Sequence, residues 1–250
     1  MSRPQNLTAL FLGTHVAGIA ASSAHGVAKS ANIIAVKVMN DDGTGLGSDI
    51  ISGINFVVQA VANSNRPSVI NMSITTPASQ AIDEAVANAV SFGIHVAVAA
   101  GNEDADASQD SPARSSSVIT VGATDINDDK AGFSNMGPSV DIWAPGVGII
   151  SLGNSDDNAL KTLSGTSMAS PFVTGLVAYF LGLDGTMSPS TMKQTLASVT
   201  TNGVISNLRK FVPQGPGRTP GADYIPQRVT PPTFSRSMVS IDSTCGSRCF

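Results

Sequence analysis

Apolar residues recur along this chain at two different spacings. Between Ser48 and Ala62, the residues Ile50, Ile51, Ile54, Val57, Val58 and Val61 fall at helical intervals and predict an amphipathic helix. Pro77 to Val90 predicts a second helix, and the apolar run Val173 to Leu183 a third, buried one. Ser188-Pro189 opens a last helix, with serine as cap and proline in its first turn. Gly13 to Ala21 is rich in small residues and reads as a helix that packs closely on a sheet. Between the helices stand short apolar runs: Ile33 to Met39, Ser68 to Ser73, Gly93 to Asn102 and Val118 to Ala123. Runs of that length fit strands covered on both faces. Strands alternating with helices predict an α/β fold, a doubly wound, mainly parallel sheet flanked by helices.

The pattern is absent at both ends. Residues 1–12 are expected to be irregular. From about Val212 periodicity stops, and Pro213, Pro216, Pro220, Pro226, Pro231 and Pro232 appear among Gly, Ser, Thr and Arg. Residues 212–250 therefore read as a Pro-rich tail without regular structure. The 250 residues, 42% hydrophobic and 13% charged, suit one domain with a large core over 13–211. A net charge of -4 gives no electrostatic case for nucleic acid or an anionic membrane. No run of about 18 apolar residues is seen, so no membrane span is expected. Thr8 to Leu12 is too brief for a signal-peptide core. Cys245 and Cys249 lie together near the C-terminus and offer neither a disulfide framework nor a metal-ligand set. The acids Asp128, Asp129 and Asp141 lack calcium-loop spacing and read as solvated. No metal, no cofactor and a monomer are expected.

Candidate chemistry centres on Leu163-Ser164-Gly165-Thr166-Ser167-Met168-Ala169-Ser170-Pro171, which runs directly into the buried helix. A serine at such an entrance meets free N–H groups and a helix dipole that favour negative charge. A bare Gly-Thr-Ser would more often be a helix cap. The longer string Gly165 to Pro171, closed by Gly175, resembles the nucleophile motif of the subtilisin-like serine proteases. The resemblance implies Ser167 as nucleophile. It extends to Asn102, which ends the run Gly93 to Gly101 and matches the family's oxyanion-hole asparagine. It also extends to Phe133-Ser134-Asn135 and to Asp141 through Gly146, and covers Gly13 to about Leu196. For substrate, it implies that Gly43, Thr44 and Gly45 pair as an edge with an extended peptide. Ser73-Ile74-Thr75 falls where the family forms one wall of the pocket for the residue before the cleaved bond. The family has glycines there, so Ile74 and Thr75 are expected to narrow or reshape that wall.

Two departures matter more than the matches. Gly13-Thr14-His15-Val16-Ala17-Gly18 resembles the family's histidine motif, but Leu12 stands in the place of its general base. Leucine cannot accept a proton. His15 matches the motif's non-catalytic histidine, about 4.5 Å further along the helix, and reads as a core histidine. His25, in a loop, and His95, inside an apolar strand, are poor substitutes. The family's acid-bearing strand is the second departure. It precedes the histidine motif and lies in the middle of the sheet, and nothing before Gly13 resembles it. The expected architecture is thus the family's sheet lacking its first strand, with two strands left partnerless.

Three readings remain. The chain is a truncated or misjoined version of a subtilisin-like endopeptidase, extracellular in its complete form; the abrupt start of the motif after Leu12 favours this. Alternatively it is a non-catalytic peptide-binding pseudoprotease, or a serine hydrolase with a base elsewhere. In every case a peptide or protein is the expected partner. The first reading predicts a serine endopeptidase by descent, with little or no activity in the chain as given.

Overall fold

The computed structural model describes the backbone of residues 8–208, 224–226 and 236–242, and side chains over 12–208. In chain order the elements are α1 (Thr8–Ala21), β1 (Ala31–Lys37), α2 (Gly47–Ser64), β2 (Val69–Met72), β3 (Thr76–Pro77), α3 (Gln80–Ser91) and β4 (His95–Ala99). Then come β5 (Asp110–Ser111), β6 (Ile119–Thr124), β7 (Ile142–Pro145), β8 (Ile149–Leu152), β9 (Leu160–Leu163), α4 (Thr166–Leu183) and α5 (Pro189–Val199). The last strands are β10 (Thr200–Asn202), β11 (Tyr224–Pro226) and β12 (Arg236–Asp242).

A six-stranded sheet in the order β1-β12-β2-β4-β6-β7 forms the centre. Every neighbouring pair in it is parallel. Its inner strands β2, β4 and β6 are buried throughout. Side chains alternate between two cores, as the strand period of two requires. Ile70, Met72, Val96 and Val98 join Ile54 and Val57 of α2 and Ile82 and Val86 of α3 on one face. Val69, Ala97, Ile119 and Val121 join Ala20 of α1, Val173 and Val177 of α4 and Met192 and Leu196 of α5 on the other. The fold is a doubly wound α/β sheet with helices on both faces.

Several local expectations need correction. α1 begins at Thr8, inside the stretch expected to be irregular. β1 is the sheet's edge, with Ile33 37% and Ile34 39% exposed, so its apolar run does not mark coverage on both faces. Thr76-Pro77 leaves the expected second helix and pairs with β5, and α3 starts at Gln80. α4 has the length and hydropathy of a membrane span, although no long apolar run was expected. It is 72% buried within the fold. The sheet has no empty place in its middle, because β12 lies between β1 and β2. β11 and β12 both fall in the tail expected to lack structure. Cys245 and Cys249 lie outside the described residues.

Small residues let α1, α4 and the sheet approach. A Cβ at Gly175 would come within 2.7 Å of Val27 Cβ and 2.8 Å of the Ala20 carbonyl oxygen. Both contacts are closer than packed atoms tolerate, and one neighbour is backbone. Gly175→Ala is therefore expected to lower stability by about 1–3 kcal/mol, read as a fall in the urea midpoint. An unchanged midpoint would show that the helices can move apart at no cost.

Candidate active site

The site assembles at the carboxyl ends of β2 and β4 and the amino end of α4. Gly165 caps α4, so Thr166 and Ser167 fall in its first turn. Ser167 is half-buried. Its Oγ lies 3.4 Å from the Ser73 carbonyl oxygen, just beyond β2.

Pro171 explains how the Ser167 backbone is held. A proline inside a helix has no N–H for the carbonyl four residues earlier, here that of Ser167. A buried carbonyl left unpaired is costly. Ser73 Oγ donates to that oxygen at 2.8 Å. Asn71 sits behind this bond, fully buried, donating through Nδ2 to Ser73 Oγ at 3.0 Å. Its Oδ1 accepts from Ser170 Oγ at 2.5 Å and Thr174 Oγ1 at 2.9 Å. One asparagine on β2 thus ties two turns of α4 to the strand end that faces the nucleophile. Ser73→Ala is expected to cost about 1–3 kcal/mol by stranding the Ser167 carbonyl. Ser73→Thr, which keeps a hydroxyl, is expected to recover part of it in the same denaturation assay. Equal losses in the two variants would argue against this role.

Asn102 stands on the other side of Ser167. Its Oδ1 accepts from the Thr166 N–H at 2.8 Å and from Thr166 Oγ1 at 3.0 Å. A backbone N–H can only donate, so this contact fixes which end of the carboxamide is oxygen. The amide end is then turned outward. Asn102 Nδ2 has no hydrogen-bond partner among the described residues, and the residue is exposed.

The loop beneath Asn102 is fastened by a second buried asparagine. Asn135 Oδ1 accepts from the Glu103 and Ala105 N–H groups at 2.9 and 3.0 Å. Its Nδ2 donates to Glu103 Oε2 at 2.9 Å and Asp110 Oδ2 at 3.0 Å. Gly101, at φ 107°, passes so close to Asn135 that a Cβ there would strike its amide. Burial, then the neighbouring Glu103 carboxylate, lift Asp110 above the usual carboxylate value, against the Asn135 bond. Lys130, also buried, donates to Asp104 Oδ1 at 2.8 Å and to the Ala131 and Ser134 carbonyls at 2.9 Å.

No histidine joins this group. His15 is fully buried, and its Nε2 lies 3.1 and 2.9 Å from the Ile149 and Lys161 carbonyl oxygens. Burial holds it below its ordinary pKa, against those two bonds. His95 lies buried in β4, pushed by burial down to about 4. His25 is in an exposed turn between α1 and β1. Leu12 packs with Val16, Ile19 and Met168, the residue after Ser167. Position 12 therefore carries an apolar side chain in the cluster that includes the neighbour of Ser167.

The expected substrate-contact residues separate into two groups. Ser73 faces Ser167, as described. Gly43, Thr44 and Gly45 form a loop after β1, not a strand, folded on itself by Asn40 N–H to the Thr44 carbonyl at 2.7 Å. The Thr44 N–H and hydroxyl also bond to Asp42 Oδ1 at 2.9 and 2.6 Å. Ile74 is 5% exposed and packs in the core around α2 and α3. Thr75 is half-buried. Asp141 accepts from Thr120 N–H and pairs with Lys193 at 3.1 Å, so it is not simply solvated. The sequence reading missed Asn71, Thr166 and the anchoring role of Asn135. Their partners lie far away in the chain, and although Thr166 and Asn135 stood inside noticed motifs, those motifs gave no hint of the bonds they make.

Comparison with known proteins places the chain in a family. The model of the subtilase family matches residues 13–217. Subtilisin-like protease 3 of Pseudogymnoascus destructans is 48% identical over 197 residues, 77% of this chain and 49% of that protein. Cerevisin of Saccharomyces cerevisiae is 42% identical over 220 residues, 80% of this chain and 35% of that one. The chain thus spans about half, or less, of these relatives' length. A solved cold-adapted subtilisin-like serine proteinase superposes with a TM-score of 0.79 at 38% identity, covering 88% of this chain and 76% of its own. The matched span contains the Ser167 turn, the Asn102 loop and the helix of His15, and the chain belongs to the subtilase family.

Proposed function

We propose that this chain carries the catalytic frame of a serine endopeptidase, with Ser167 as nucleophile and Asn102 as oxyanion donor, and that Leu12 leaves it with little or no activity as given. In this reading Ser167 Oγ attacks the carbonyl carbon of a peptide bond, and the oxyanion formed is met by the free amide of Asn102. The C–N bond then breaks, leaving an acyl-serine that water hydrolyses. Each half-reaction needs a base that takes a proton from the attacking oxygen and returns it to the leaving group. The observation that carries the reading is the pairing of an outward-facing Asn102 amide with a Ser167 hydroxyl whose hydrogen-bond partner is a main-chain carbonyl. A carbonyl oxygen is no base at neutral pH, and Leu12 holds no proton site. The substrate class is an extended peptide or protein segment, held near Ser73-Ile74-Thr75 and the loop of Gly43, Thr44 and Gly45. A non-catalytic, peptide-binding pseudoprotease is the second reading, favoured by Leu12 packing, partly buried, against the apolar cluster of Val16, Ile19 and Met168.

Casein hydrolysis by the purified chain tests the proposal. The expected rate is at background and unaffected by Ser167→Ala. Turnover at the rate of a complete protease, lost in Ser167→Ala, would overturn it.

A further inference from the structure

We propose that the sheet contains a strand-acceptor slot between β1 and β2, a binding site for an extended peptide segment, and that residues 236–242 occupy it in cis. The inference needs no peptidase activity. It starts from a discontinuity in the topology: β12 comes from the far end of the sequence yet lies inside the sheet, parallel to both neighbours. All seven of its residues are in register with β1, from Ala31 opposite Arg236 to Lys37 opposite Asp242. Val239, Ser240 and Ile241 are level with Ile70, Asn71 and Met72 on its other side. α2 contacts it on one face of the sheet, and α1 and α4 on the other.

The slot is therefore closed on four sides and recognises main chain. β2 is buried along its whole length. If the slot were empty, its N–H and C=O groups on that side would lose their partners in a place water reaches poorly, and β1 would lose its neighbour in the sheet. A segment of about seven residues in extended conformation satisfies them, which is recognition by strand addition. Occupancy also reaches the site. Ile241 is level with Met72, so β12 ends level with the strand end that leads into Ser73, whose carbonyl meets Ser167 of α4, and Asp242 pairs with Lys37 of β1. The pairing that holds β2 in place thereby holds the Ser73 carbonyl against the nucleophile.

Amide hydrogen exchange on the intact chain, read by mass spectrometry, tests this. Amides of 237–242 are expected to exchange at least about 100-fold more slowly than in a free peptide of the same sequence, as members of the core's cooperative unit. Ser240→Pro removes an N–H from the middle of the strand. It is expected to accelerate exchange in Ile33–Val36 and Ile70–Met72 as well, whereas Thr233→Pro outside the strand leaves them unchanged. Free-peptide rates over 237–242 with β2 and β4 still protected would overturn the proposal. So would a Ser240→Pro variant with wild-type protection. Protection that accompanies a dimer and vanishes on dilution would also overturn it, by placing a second copy's strand in the slot. Should Ser240→Pro fail to fold, the exchange rates of the unmodified chain decide.

Discussion

Leu12→His is expected to raise the peptidase activity of this chain about 100-fold above its starting value. The size is taken over from subtilisin, a member of the same family. There, losing serine or histidine costs about as much as losing the whole triad, about 2 × 10⁶, while losing the aspartate alone costs about 3 × 10⁴. Restoring a base without counting on an orienting acid should recover the difference. The geometry supports the site of the change. Leu12 already packs against the small cluster of Val16, Ile19 and Met168, the last one residue from Ser167, on a helix pinned to the β8-β9 hairpin by His15 and Gly18. Hydrolysis of a chromogenic peptide measures the gain. Ser167→Ala in the Leu12→His background must abolish it, and Asn102→Ala must remove most or all of it, since an oxyanion donor is worth about 10²–10³. No gain from Leu12→His would mean that position 12 does not reach the nucleophile.

Acid is expected to weaken the fold through His95 by about 3 kcal/mol between pH 6.5 and 4. His95 is 2% exposed, and burial pushes its pKa from 6.5 to about 4. The native state keeps this imidazole neutral, while the unfolded chain protonates it below about 6.5. Over that window the unfolded state binds more protons, so stability rises with pH. The contribution is complete above pH 6.5 and is lost as pH falls towards 4. His15, displaced in the same direction by burial, adds to the slope. Urea denaturation at pH 7 and pH 4.5 checks this. His95→Gln keeps a hydrogen-bonding group but removes the titration, so its loss between the two pH values should be smaller than the parent's. Equal losses would show that His95 does not set the acid limb.

Much of the frame was legible because it depends on local periodicity. The helices α2 and α4 follow their apolar spacing, and α5 opens as its Ser188-Pro189 signal dictates, with Ser188 Oγ accepting from Thr191 N–H at 3.1 Å. Ser167 and Asn102 stood out because each lies in a short string of constrained residues. What failed to show depends on neighbours distant in sequence. The apolar residues of β1 could not reveal that it sits at an edge. The burial of Ile74 depends on α2 and α3 packing over it, which no local pattern around Ser73-Ile74-Thr75 shows. Asn71 looked like any strand residue, and its partners Ser170 and Thr174 lie 99 and 103 positions away. β12 was hidden by its setting: Met238-Val239 and Ile241 form a short apolar signal among prolines, and only the slot between β1 and β2 gives it meaning.

The central claim is that nucleophile and oxyanion donor are in place while the base is not. Labelling of Ser167 by a fluorophosphonate probe tests it most directly, since the probe needs an activated serine but no particular peptide sequence. The account predicts background labelling of the unmodified chain and clear labelling of Leu12→His, lost again in Ser167→Ala. Strong labelling of Ser167 in the unmodified chain would contradict it, and would mean that a working base stands elsewhere than at Leu12.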